Sequence, residues 1–223
     1  MNTIMALSSA TSPNTDPGGP RRRRPLLWGT LGAVLAVALM AVVLRFDVGP
    51  SAADLPVLGT VPAFTLTAGD GRPMSADDLR GQVWIADFIF TRCPTQCPML
   101  TTNMAKLQAA LPADRSGAVR LVSFTVDPGH DTPEVLRAYA ERFGADGSRW
   151  AFLTGDREAL YALIRDGFHL AVAEEPGREG MITHSDRFIL VDRDLRIRGY
   201  YSGSDPEGNA RVVRDAARLR ASS

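Results

Sequence analysis

The chain has 223 residues, and its 25 basic and 25 acidic side chains leave no formal net charge. With no basic excess to set against a phosphate backbone, the composition gives no support for nucleic-acid binding. Cysteine is used at one place only, Cys93 and Cys97.

The first 24 residues are largely polar, rich in Pro, Gly, Ser and Thr, and they end in Arg21-Arg22-Arg23-Arg24. Such a stretch cannot bury a core and is expected to be disordered. Leu26–Leu44 follows, 19 residues without a charge. At ~1.5 Å rise per residue it spans ~29 Å, about one bilayer core. A soluble core helix would show a polar face over that length, and this run has none. Residues 1–45 carry five Arg against one Asp. The positive-inside rule therefore puts the N-terminus in the cytoplasm and the rest of the chain across the membrane. A cleaved signal peptide ending near Ser51-Ala52-Ala53 is the alternative. The apolar run is longer than the ~7–15 residues usual for one, which favours an uncleaved anchor. Either reading exports the large C-terminal part of the chain.

Residues 45–60 read as a linker, with Gly49-Pro50, Pro56 and Gly59 breaking any period. The remainder, 61–219, is long enough for one domain with a real core. The segmentation is thus 1–25 disordered and cytoplasmic, 26–44 transmembrane, 45–60 linker and 61–219 folded.

Within the domain, Phe64–Thr67 predicts a short strand, Gly69-Asp70-Gly71 a turn, and Ser75–Arg80 a short helix. Val83–Phe90 is a nearly continuous apolar run, as in a strand covered on both faces. Pro98–Leu111 has Leu100, Met104, Leu107 and Leu111 at helical spacing. Arg120–Val126 is another buried strand. Asp131-Thr-Pro-Glu134 opens a helix, with Asp131 as a candidate cap. Trp150–Leu153 predicts a strand, Arg157–Phe168 a helix, and 171–183 an irregular loop. Arg187–Val191 and Arg196–Tyr200 flank Asp192-Arg-Asp194 as a hairpin, and Asn209–Leu219 closes the chain as a helix. This order is that of a thioredoxin-like α/β domain.

Cys93-Pro-Thr-Gln-Cys97-Pro98 lies between the strand ending at Phe90 and the following helix. Loops at the carboxyl ends of strands carry ligands in open α/β sheets. A helix N-terminus also favours thiolate over thiol, the form that ligates metals and attacks disulfides. Two thiols at i and i+4 can therefore share a soft metal ion or oxidise to a disulfide. There are three histidines. His169, among apolar neighbours at a helix end, reads as structural, and His130, in Asp127-Pro-Gly-His-Asp131, as a solvated turn residue. His184, just before a strand, is by position alone as consistent with a solvated loop as with a ligand. Two thiolates and one imidazole suit Cu(I) and can also hold Cu(II), whereas structural zinc usually takes a fourth protein ligand. Met181 could lend a thioether, although packing is its simpler role.

Several motifs occur together: Phe90-Thr-Arg-Cys93-Pro-Thr-Gln-Cys97-Pro98, Val126-Asp127-Pro128 with Asp131-Thr132-Pro133-Glu134, Phe152-Leu-Thr-Gly155, and His184-Ser185. In this order, over 61–219 and behind an anchor, they resemble the Sco/SenC family. The resemblance implies a thioredoxin-like fold with a copper site that serves assembly of the binuclear copper centre of cytochrome c oxidase. It implies Cys93, Cys97 and His184 as the copper ligands, with Asp127 near the site. It also implies subunit II of the oxidase, or another copper protein, as partner. With the anchor, the expected location is a bacterial inner membrane, crossed once, with the domain on the periplasmic side. Thr95-Gln96 and Thr183 depart from the acidic residues many members carry there. Neither change removes a ligand. The other function class is a thiol–disulfide oxidoreductase, in which Cys93 and Cys97 form a redox pair that reduces the cysteines of the oxidase copper site. A peroxidase fits less well, because the paired Cys-Pro motif lacks the supporting polar cluster that peroxide reduction needs.

Overall fold

The computed structural model describes residues 55–94, 96–112, 119–174 and 182–222, the side chains of Glu174, Thr183 and His184 excepted. The expected disordered tail, the 26–44 anchor, most of the linker, Thr95 and Met181 lie outside the described residues. Among the described residues no helix is long and apolar enough to cross a membrane.

The elements in order are β1 (Gly59–Thr60), β2 (Thr65–Ala68), β3 (Pro73–Ser75), a 3-10 turn (Ala76–Leu79), β4 (Trp84–Ile89), α1 (Gln96–Ala110), β5 (Arg120–Thr125), α2 (Pro133–Arg142) and β6 (Trp150–Thr154). Next come α3 (Arg157–Ala162), which runs into a π turn (Leu163–Gly167), then β7 (Val172–Glu174), β8 (Ile182–His184), β9 (Arg187–Val191), β10 (Arg196–Ser202) and α4 (Pro206–Ala221). Eight strands form one sheet in the order β1-β10-β9-β4-β5-β6-β2-β3. The alternation of strands and helices expected of a thioredoxin-like domain is present.

β4 is the centre of this sheet, parallel to β5 on one side and antiparallel to β9 on the other. All six of its residues are buried, which is why its sequence reads as one apolar run. Phe88, Phe124 and Phe168 pack with ring centroids 5.2–5.6 Å apart and bind the sheet to the turn after α3. Aromatic burial of this kind supplies much of a core's stability.

The structure departs from the sequence reading in five places. β1 falls in the expected linker, where Gly59 pairs with Ile197. Arg198 adds hydrogen bonds to the carbonyls of Leu55 and Pro56, so order begins before Val61. The expected loop 171–183 is tied at its ends into a hairpin, with Val172 opposite His184 and Glu174 opposite Ile182. Strands of three residues are too short for a readable alternation, and only pairing puts Val172 and Ile182 on a buried face. The helix expected over 157–168 keeps α geometry to Ala162 and widens to a π turn beyond it. α4 starts at Pro206, because Asp205 accepts from the Glu207 and Gly208 amides. Finally, Thr132 rather than Asp131 caps α2, taking the Val135 amide at 3.4 Å. That leaves the Asp131 carboxylate to act elsewhere.

Candidate functional site

The chain leaves β4 through a turn in which the Cys93 amide donates to the Phe90 carbonyl at 3.2 Å. α1 starts three residues later, at Gln96. The first amides of a helix lack intrahelical acceptors, and here the Cys97 N–H donates to Cys93 Sγ at 3.4 Å. Pro98 sits within this first turn, where its missing N–H costs nothing. The two residues are present as thiols, Cys97 fully buried and Cys93 partly exposed. Cys93 is therefore the sulfur an incoming metal or disulfide meets first.

Burial pushes the Cys97 thiol pKa well up, and the adjacent Cys93 thiol and Asp87 push the same way, while a hydrogen bond with the Phe90 backbone pulls it down. In the reduced protein Cys97 thus holds its proton at neutral pH. A cation binding there has to displace that proton. Beyond Cys97, Thr101 Oγ donates to the Cys97 carbonyl at 2.8 Å and bonds with the Tyr139 hydroxyl at 2.9 Å, which fixes the start of α1 to α2.

Asp87, on β4, lies in the core at 1% exposure. Its Oδ1 accepts from Ser123 Oγ at 2.5 Å, and that hydroxyl in turn accepts from the Trp150 indole N–H at 2.9 Å. Its Oδ2 has no hydrogen-bond partner among the described residues. Burial raises its pKa to about 7, although the Ser123 bond acts in the opposite direction. A carboxyl near half-ionised at neutral pH sits electrostatically within reach of Cys97 and Tyr139.

β9 runs antiparallel to β4, with Ala86 opposite Ile189 and Trp84 opposite Val191. β9 therefore enters the sheet at the end where β4 leaves it, and His184, three residues before β9, comes in from the end that carries the cysteines. Hydrogen bonds reinforce this placement. The Gly203 amide donates to the Asp186 carbonyl at 2.9 Å, and Asn103 of α1 donates to the Gly203 carbonyl at 2.8 Å. A Cβ on Gly203 would lie 2.8 Å from Leu100 Cδ2 and 2.9 Å from the Asp186 oxygen, so glycine is what lets these segments meet. The segment just after His184 is thereby fastened to the helix that begins at the cysteines.

The other candidates separate clearly. His169 is exposed, in left-handed conformation (φ 53°), and edges an open groove of about 640 Å³ with Leu58, Leu170, Ser185, Arg187 and Tyr200. His130 is in the expected turn, its side chain 41% exposed. Its Nδ1 lies 3.0 Å from Asp131 Oδ1 and 3.3 Å from Thr91 Oγ. Asp127 is buried and holds the Arg92 guanidinium, Nε at 2.9 Å. Sequence reasoning did not single out Asp87, Thr91 or Asp131 as part of the site. For Asp87 a signal existed, a lone acid inside an apolar strand. Thr91 and Asp131 stood within quoted motifs, but nothing in the sequence showed that they meet, because they lie 40 residues apart.

Chemically, two adjacent sulfurs on a helix N-terminus, with an imidazole-bearing residue entering from the same end of the sheet, fit a soft cation. The same two sulfurs fit a reversible disulfide.

The SCO1/SenC family model matches residues 56–219. A Stutzerimonas stutzeri protein named for copper binding is 33% identical over 147 residues, 66% of this chain and 71% of its own. The crystal structure of a SCO1/SenC family lipoprotein from Bacillus anthracis strain Ames aligns with a TM-score of 0.67 and 37% identity, covering 74% of this chain and 98% of that one. BsSco, a Sco-family cytochrome c oxidase assembly protein in which a disulfide switch has been identified, aligns with a TM-score of 0.67 and 32% identity over 75% and 97% of the two chains.

Proposed function

The chain belongs to the SCO1/SenC family, and on that basis we propose that it is a membrane-anchored copper metallochaperone serving assembly of the binuclear copper centre of cytochrome c oxidase. Cys93, Cys97 and His184 would hold the metal. The observation that carries this reading is the adjacent pair of thiols where β4 meets α1, at the sheet end from which His184 also enters. Soft sulfur donors with one imidazole select copper over magnesium or calcium. Two thiolates also neutralise the charge of Cu(II), so the site suits either oxidation state. The copper-binding name of the Stutzerimonas relative and the oxidase-assembly role of BsSco support the same reading. The test is metal analysis of the full chain purified under reducing conditions. One copper per chain is expected, and a chain that takes up none would end the copper reading.

The second reading is a reductase for the cysteines of the oxidase copper site. The adjacent thiols and the disulfide switch of BsSco favour it. His184 separates the two, since copper retention needs it and thiol exchange does not. His184→Ala should weaken copper retention yet leave Cys93 and Cys97 able to exchange with an external dithiol. In cells, oxidase assembly should fail with this variant and recover in part when copper is added. Normal assembly without added copper would instead favour the reductase.

The anchor and its direction rest on residues 21–44. A fluorescent reporter that matures only in the cytoplasm, fused after Ser223, should stay dark in a bacterial host. A bright fusion would place the domain on the wrong side, and a mature N-terminus near Asp54 would replace the anchor with a cleaved signal.

A further inference from the structure

Asp127, His130 and Asp131 offer ligand atoms within 4.8 Å of one another, an arrangement that could pass for a second metal site. Both oxygens of Asp131 and one of Asp127 are already engaged by the protein. Asp127 Oδ2 accepts from Nε and a terminal nitrogen of Arg92. Asp131 is fully buried. Its Oδ2 accepts from the Thr91 amide at 3.1 Å and from Thr125 Oγ at 2.6 Å, and its Oδ1 accepts from Thr91 Oγ at 2.5 Å.

These bonds converge on the turn that carries the sulfurs. Thr91 and Arg92 are the two residues inside the turn closed by the Cys93 amide and the Phe90 carbonyl. Phe90 at one end is hydrogen-bonded to Cys97, and the other end is Cys93 itself. The orientation of the turn therefore sets where each sulfur stands relative to the other. The Arg92 side chain is 46% exposed while its partner Asp127 is 4% exposed, so this pair is held firmly at the carboxylate end only. A buried carboxylate accepting several N–H and O–H groups is a far stiffer anchor. Thr125 closes the far side, since Asp127 N–H also donates to Thr125 Oγ at 2.9 Å.

We propose that Asp131 is a positioning residue for the cysteine site, acting through Thr91 to fix the Phe90–Cys93 turn and with it the placement of both sulfurs. This rests on the copper reading above for its metal-dependent test and is independent of that reading for the other. Thr91→Val removes the hydroxyl at nearly constant shape, Thr91→Ser keeps it, and Asp131→Asn weakens the acceptor. In the full chain, copper release to a chelator should be ~10-fold faster in Thr91→Val and in Asp131→Asn, the range for losing a partner that orients a ligand. The thiolate-to-copper(II) absorption band should move in both. The double variant should be no faster than Asp131→Asn alone, because the two act along one path. Thr91→Ser should match the parent.

A metal-free readout accompanies these. In the reduced protein, alkylation of Cys93 by iodoacetamide should quicken in Thr91→Val and in Asp131→Asn, and not further in the double variant. Parent-like release, band and alkylation in Thr91→Val would overturn the proposal, as would effects that multiply in the double variant. Should Asp131→Asn fail to fold, Thr91→Val, which alters a partly exposed side chain, still decides. A parent that binds no copper would remove the copper reading and leave the alkylation rates to judge the turn.

Discussion

Cys93→Ala and Cys97→Ala should each abolish stoichiometric copper binding while leaving the domain folded. Losing a partner that merely orients a ligand lowers metal affinity by ~10–100-fold, so losing one of three ligands should exceed ~100-fold. The two variants differ in their side effects. Cys97 is fully buried within the core, and removing its sulfur leaves a small void that costs on the order of 1 kcal/mol. Cys93 is partly exposed, and its replacement should cost less than that. Equilibrium dialysis against buffered copper, with thermal unfolding of the metal-free proteins in parallel, separates binding from folding. Binding should also weaken as pH falls, because burial holds the proton on Cys97 and the metal competes with it. Stoichiometric copper in either variant, bound as tightly as in the parent, would mean that the thiols are not the site.

The second large effect lies in the core. Burial raises the Asp87 pKa from 3.8 to about 7. The folded protein therefore holds this proton to higher pH than the unfolded chain does. That contribution to stability is fully present below the unfolded pKa and is lost as pH rises through the folded one. A displacement of this size corresponds to about 4 kcal/mol across the window. Asn mimics the protonated acid and keeps an acceptor for Ser123 Oγ. Asp87→Asn should match the parent at about pH 4 and exceed it by up to about 4 kcal/mol at about pH 8. Urea unfolding of both proteins under reducing conditions measures the difference at each pH. Taking the difference cancels groups such as Asp192, whose pKa is lowered in the fold and which therefore destabilises it on acidification. Cys97 holds its proton in both states below about pH 8 and adds no slope. Parallel stability curves for the two proteins would show that Asp87 is not the titrating group.

The fold's outline was readable because its signals are local. β4 announces itself as an apolar run between turns, α1 by leucines and a methionine one helical turn apart, and β9–β10 by the Asp192 turn. The cysteine pair was legible for the same reason: strand, turn and helix entry fall within fifteen residues, Val83 to Cys97. The start of α4 was not legible in the same way: the helix was expected from Asn209 and begins at Pro206, behind the Asp205 cap. The β7–β8 hairpin was not legible, since neither strand carries a pattern by itself and burial comes only from their pairing.

Where the two sulfurs stand was settled by the order of amino acids alone. Both sulfurs stand at one helix N-terminus, four positions apart, and backbone geometry over so short a span leaves them nowhere else to go. Folding settled what those sulfurs experience. Which strands flank β4, that Asp87 is dry, and that Asp131 reaches back to Thr91 instead of capping its own helix all depend on neighbours 35 to 100 residues away. Desolvation and hydrogen bonding are properties of the space around a side chain. The chain specifies that space only once the sheet has closed around it.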